Sequence, residues 1–153
     1  MVTISERDWI ALFFALLCVL AGCATHPVAS TSAVAEPPAL LLGSFVDDYG
    51  IGYTVSEHEW VQLPDARYLI SRWKPDARYL IARNDTSNPS DGGLWTRIDW
   101  VRLTGMAPYE WAFCLSAYAA PSASAAESTR VARPESPRTG CNGHPFSRMR
   151  RQE

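Results

Sequence analysis

Four cysteines, three histidines and sixteen carboxylates are the groups in this chain best suited to chemistry. Asp47-Asp48 and Asp99 could supply a two-carboxylate hydrolase, provided contrasting surroundings keep one carboxyl protonated and the other ionised. Cys141-Asn142-Gly143-His144 brings a thiol and an imidazole close along the chain, and Glu57-His58-Glu59 offers further metal ligands. Cys114 and Cys141 could also close a disulfide.

Each arrangement has a plainer competitor. A structural zinc site wants paired short spacings, and here only one half is present. Along a strand, Glu57 and Glu59 would point away from His58, so this segment reads as a solvated strand edge. Asp99, in Arg97-Ile98-Asp99-Trp100-Val101-Arg102, pairs more simply with an arginine on a sheet face. The chain has no Gly-X-Ser-X-Gly elbow, phosphate-cradling glycine loop or His-Glu-X-X-His helix. These patterns identify no catalytic residue, metal site or cofactor site.

Cys23 belongs to a different chemistry. It ends the charge-free apolar run Trp9–Gly22, about the length of a signal-peptide core and short of the ~20 residues of a spanning helix. Leu20-Ala21-Gly22-Cys23 resembles the bacterial lipobox, with a small residue before the cysteine that takes the diacylglyceryl group. Glu6 and Asp8 flank Arg7, so the leader is hardly positive, which departs from the usual start of such a leader. The resemblance implies a signal peptide over residues 1–22, removed with Cys18, and a mature chain starting at an acylated Cys23. At about 0.8 kcal/mol per buried methylene, two or more acyl chains hold a protein on a bilayer. Ala24 and Thr25 follow instead of the aspartate that retains lipoproteins at an inner membrane, an outer-membrane address if the host has two membranes.

Residues 23–40 read as the lipidated terminus and a flexible linker, small, polar and proline-bearing. Residues 41–153 form the domain. An exported domain that retains only Cys114 and Cys141 most simply joins them, which would pin the turn-rich tail and contribute about 3.6 kcal/mol. A formal charge of −2, with scattered arginines and Lys74 as the only lysine, gives no nucleic-acid partner. The membrane, reached through the lipid, is the expected partner.

The elements that must position these groups are mostly strands. Gly50–Leu63 alternates, with Ile51, Tyr53 and Val55 on one face. Leu94–Leu103 is rich in aromatic and β-branched residues, and Tyr109–Tyr118 alternates with Tyr109, Trp111, Phe113 and Leu115 on one side. PDARYLI occurs at 64–70 and again at 75–81, a spacing too short and copies too few for a stacked-repeat fold, so it reads as one hairpin. A Trp73–Arg78 pairing would put Tyr68, Ile70, Tyr79 and Ile81 on one face and Leu69, Trp73 and Leu80 on the other. A short helix is expected over about 124–132, with Ser124 and Glu127 as a capping box. The fold expected is a mostly β antiparallel meander of about five or six strands, a curled or partly closed lipocalin-like barrel with one C-terminal helix.

Large rings favour core filling over a binding surface, with Trp95 and Trp111 expected inside and Trp73, beside a turn, exposed. Asp47-Asp48-Tyr49-Gly50, Ile81–Asp85, Leu94–Trp100, Trp111–Tyr118 and Pro137–Ser147 resemble a family of small exported bacterial lipoproteins. That resemblance implies an exported domain and transfers no catalytic residue. The functional expectation is a lipid-anchored, non-enzymatic binding or structural protein of the cell envelope. Its rival is a hydrolase acting on an envelope substrate through Asp47, Asp48, Asp99 or His58.

Overall fold

The computed structural model describes residues 35–153, so the signal segment, Cys18, Cys23 and the linker up to residue 34 lie outside the described residues. A 3-10 turn (Ala39–Leu41) leads into β1 (Gly43–Asp47), β2 (Gly52–Val55), β3 (Glu59–Gln62) and β4 (Ala66–Lys74). Then follow β5 (Tyr79–Asn84), β6 (Trp95–Arg102), β7 (Trp111–Ala120), helix α1 (Ala123–Ser128) and β8 (Ser147–Arg151). Every strand pairs antiparallel with the next, and β8 pairs back onto β1, closing an eight-stranded barrel. Closure leaves no sheet edge at the ends of the strand order.

The class is the expected one, while the strand count and closure are not. The alternating run 50–63 is a hairpin, bent at Ser56–His58, rather than one strand. β1 and β8 were missed because each is only five residues long and sits beside turn-forming sequence. In Ser147-Arg148-Met149-Arg150-Arg151, Met149 is fully buried between two arginines, the period-2 pattern of a strand with one face inward.

Phe45, Tyr53, Trp60, Trp73, Leu80, Ile98, Trp111, Phe113 and Met149 fill the barrel, and Leu40–Leu42 at the preceding 3-10 turn join them. Their rings meet edge to face, as with Phe45 and Trp111 at 5.1 Å and 86° or Trp60 and Trp111 at 5.8 Å and 84°. The indole N–H groups of Trp60, Trp100 and Trp111 are buried without an acceptor among the described residues. Apolar groups point inward and arginines and carboxylates line the outer wall, the reverse of a barrel facing lipid. No helix among the described residues is long and apolar enough to cross a membrane.

The repeated heptapeptide forms one hairpin, but not in the expected register. Trp73 pairs with Leu80 and Ile70 with Ala82, and the ladder shifts between Ile70 and Arg72. The bulge at Ser71 reverses the facing of β4 halfway along. Tyr68 and Ile70 of the first copy therefore pack against the barrel interior, whereas in the second copy Leu80 does, and Tyr79 and Ile81 face outward beneath α1. The same reversal carries Trp73 inside, to 5% exposure, so the expectation that it is exposed is corrected. Trp111 is interior as expected, whereas Trp95 packs outside the barrel with the residues under the helix.

Two outer layers cover β5–β7. Ala126 packs on Tyr79 and Ile81, with Trp95, Ala117 and Ala120 around them. Phe146 and Cys141 of the tail pack with Val101, Ala112 and Cys114. Helix α1 is shorter than expected, and its N-cap is Ser122, whose Oγ accepts from the Ala125 N–H at 3.1 Å. The Ser124–Glu127 capping box does not form, because Glu127 turns to the barrel wall instead.

Candidate functional site

Asp47 ends β1 inside the barrel. Its Oδ1 accepts from the Tyr49 and Ile51 N–H groups at 2.9 and 2.8 Å, and its Oδ2 accepts from the Tyr53 hydroxyl at 3.1 Å. Burial, then the Asp47 charge, pushes the Tyr53 phenol well above the usual tyrosine range. Asp48 lies at the outer surface, where its Oδ2 accepts from Arg148 Nε at 2.8 Å. Asp99 sits between Ile98 and Trp100, which pack on the interior, so its carboxylate is on the outer face. There it accepts two 2.7 Å bonds from Arg97 and one of 2.5 Å from Ser116 Oγ.

The barrel wall thus separates Asp47 from Asp99, and every one of these acids is already engaged. His58 is exposed in the β2–β3 bend, on the rim of a small depression of about 260 Å³ that also includes Trp73 and Pro37. Glu57 and His58 are therefore in a bend rather than on a strand edge, and only Glu59 begins a strand. The four residues named for a hydrolase do not converge. Among the described residues, no group of three or more histidine, cysteine, aspartate or glutamate side chains could hold a metal ion.

Cys114 and Cys141 are bonded, with Cα atoms 5.5 Å apart, so Cys141 has no thiolate to offer a metal. His144 instead closes a two-residue turn through reciprocal backbone bonds of 2.9 Å with Cys141. Asn142 and Gly143 take φ values of 50° and 90° there, as the twist of a tight hairpin requires. Gly140 packs so closely that a Cβ on it would lie 2.2 Å from the Arg133 carbonyl. The disulfide, this turn and the close approach at Gly140 hold the tail against β7.

Held in place, the tail forms one wall of a groove of about 550 Å³ on the outer surface. Leu103, Ala112 and Phe146 form its apolar base; Phe146 is buried, and the small Ala112 leaves depth. Tyr49 and Met106 stand on its rim, 69% and 37% exposed, with Pro137 and Arg138 from the tail and Arg148 from β8. Arg148 pairs with Asp48 and lies over the Tyr109 ring at 4.7 Å. Asp48 raises the guanidinium pKa above its usual value, so Arg148 stays charged. A second depression of about 540 Å³, across the β6–β7 loop, shares Leu103 and Met106 and reaches Leu40. The groove can seat an apolar side chain and offer guanidinium N–H donors to an anion, and it brings no nucleophile beside a base.

Sequence patterns could not reveal this groove, because its walls come from Asp48, Leu103, Arg138 and Arg148, far apart along the chain. A second polar cluster was missed for the same reason. Glu127 of α1 accepts from Arg72 Nη1 at 2.6 Å and from the Tyr79 hydroxyl at 2.8 Å, while its backbone carbonyl accepts from Arg97 Nη1 at 2.7 Å. Arg97 also lies 3.9 Å over the Tyr79 ring. This network fastens the helix, and its charged groups are already engaged with one another. The chain matches no family model, no curated protein and no solved structure.

Proposed function

We propose that this protein is a lipid-anchored component of a bacterial cell envelope, acylated at Cys23, whose barrel is a non-enzymatic binding module. The groove between the tail and the β6–β7 loop is its binding surface. What carries the reading is the contrast between a barrel interior filled by aromatic side chains and an outer groove with an apolar base and charged rim. At about 550 Å³ the groove lies within the ~300–1,000 Å³ of ligand sites. The distribution of Asp47, Asp48, Asp99 and His58 supports binding over hydrolysis. The lipobox-like Leu20-Ala21-Gly22-Cys23 supports the anchor, and the disulfide is compatible with an oxidising compartment outside the cytosol.

Two measurements test the two halves. Cells fed an alkyne-tagged palmitate should label the protein, and Cys23→Ser should abolish the label; label retained in that variant removes the anchor. A photo-crosslinking residue at Met106 should give a discrete adduct in intact cells. One at Leu69, exposed on β4 across the barrel, should not. Identical patterns at the two positions remove the groove.

A further inference from the structure

We infer that the groove takes an acidic stretch of polypeptide carrying an apolar side chain. This inference rests on the groove being the binding surface and adds the chemistry of its partner. Charge is unevenly divided along the chain. Residues 128–153 carry six arginines against the two carboxylates of Glu135 and Glu153, whereas residues 35–127 carry seven basic groups against twelve acids. The fold brings part of that positive segment to both walls of one concavity. Arg138 stands on the tail side, exposed, with no carboxylate within 4.0 Å among the described residues. On the β8 side stands Arg148, and Arg150 follows it on the same outer face. Asp48 is the only acid lining the groove, and it is bound to Arg148.

Between these cations lies apolar surface that no anion alone would cover: Leu103 and the edge of the buried Phe146 at the base, with Met106 and the Tyr49 ring on the rim. A ligand that satisfies both features has carboxylates spaced about an apolar side chain. Arginine forks bind carboxylates in bidentate fashion, and a desolvated apolar anchor supplies most of the affinity at such sites. A flat anionic bilayer meets the requirement less well. It does not enter a concavity.

The test uses the full chain with Cys23→Ser, so that no acyl chain contributes, against three sets of immobilised dodecapeptides and two vesicle types. The peptides alternate leucine or phenylalanine with glutamate, glutamine or lysine; the vesicles are phosphatidylglycerol and phosphatidylcholine. Glutamate peptides should bind at least ten-fold more tightly than the glutamine set, and more weakly as sodium chloride is raised. Arg138→Gln should weaken them about three- to five-fold, as expected for one partly exposed ion pair. Arg67→Gln, on β4 across the barrel, should change nothing. Equal binding of the glutamate and glutamine sets, no binding of either, or a phosphatidylglycerol preference lost in Arg138→Gln overturns the acidic-peptide inference. The discrete crosslink at Met106 would survive those outcomes if the groove is still a binding surface, and its absence would remove both.

Discussion

Asp99 and Arg97 carry the sharpest expectation at the level of single residues. Both are nearly buried, and their two parallel 2.7 Å bonds leave neither charge uncompensated. Asp99→Ala would strand a guanidinium beneath α1 and should cost about 3–5 kcal/mol. Replacing both partners by apolar residues of similar volume should cost far less, because the penalty lies in the unpaired charge. Urea denaturation of the two variants checks this; equal losses would show that the pair itself is strongly stabilising. Here the sequence was informative: an aspartate two positions from an arginine on a strand shares its face, and pairing with an arginine was the simpler reading. It could not show Ser116 joining them. The β6–β7 ladder slips between Arg97 and Ile98, leaving Ser116 as an extra residue on β7 and turning its hydroxyl to Asp99.

The elements added to the barrel, α1 and the tail, are where local sequence was least sufficient. Both Ser122 and Ser124 precede helical sequence, and only the backbone decides which one caps. Ser122→Ala should cost about 1 kcal/mol and Ser124→Ala a few tenths. Similar losses for both, measured by thermal unfolding, would contradict the observed cap. Glu127 makes the attachment of α1 depend on pH. The Tyr79 hydroxyl, opposed by a desolvation cost and aided by the Arg72 and Lys74 charges, holds its carboxyl below the usual glutamate value. A carboxyl depressed in the folded state stabilises fully above its unfolded pKa of about 4.3, and that contribution is lost as pH falls through the lower folded value. The gap in urea midpoint between the native chain and Glu127→Gln at about pH 7 should therefore narrow by about pH 3. A constant gap would mean that the ionised carboxylate contributes nothing. For the tail, Cys114→Ser with Cys141→Ser should cost about 2–5 kcal/mol and loosen the groove wall that carries Arg138. A double variant as stable as the parent would show that the turn and the Phe146 contacts suffice.

For the molecule as a whole, closure sets what occupies the centre. Eight strands give an interior just wide enough for side chains to fill, and here large rings fill it. The proposed binding surface lies outside, where β6 and β7 are overlaid by added elements and concavities form at their borders. The proposed anchor and partner act on this scale too. An acylated Cys23 would confine the domain near a bilayer.

The amino-acid sequence alone determined that the domain is a mostly antiparallel sheet with one short helix and that Asp99 is better read as an arginine partner than as an acid catalyst. Such properties follow from periodicity and from neighbours a few positions apart. Tertiary structure decided that the sheet closes, since alternation distinguishes two faces without saying which is inside or whether the last strand meets the first. It also decided that two identical heptapeptides face opposite ways, because one bulge at Ser71 reverses parity without any signal in composition. The groove is tertiary in the same sense: Asp48, Leu103, Arg138 and Arg148 meet only because the barrel and its disulfide bring distant segments together.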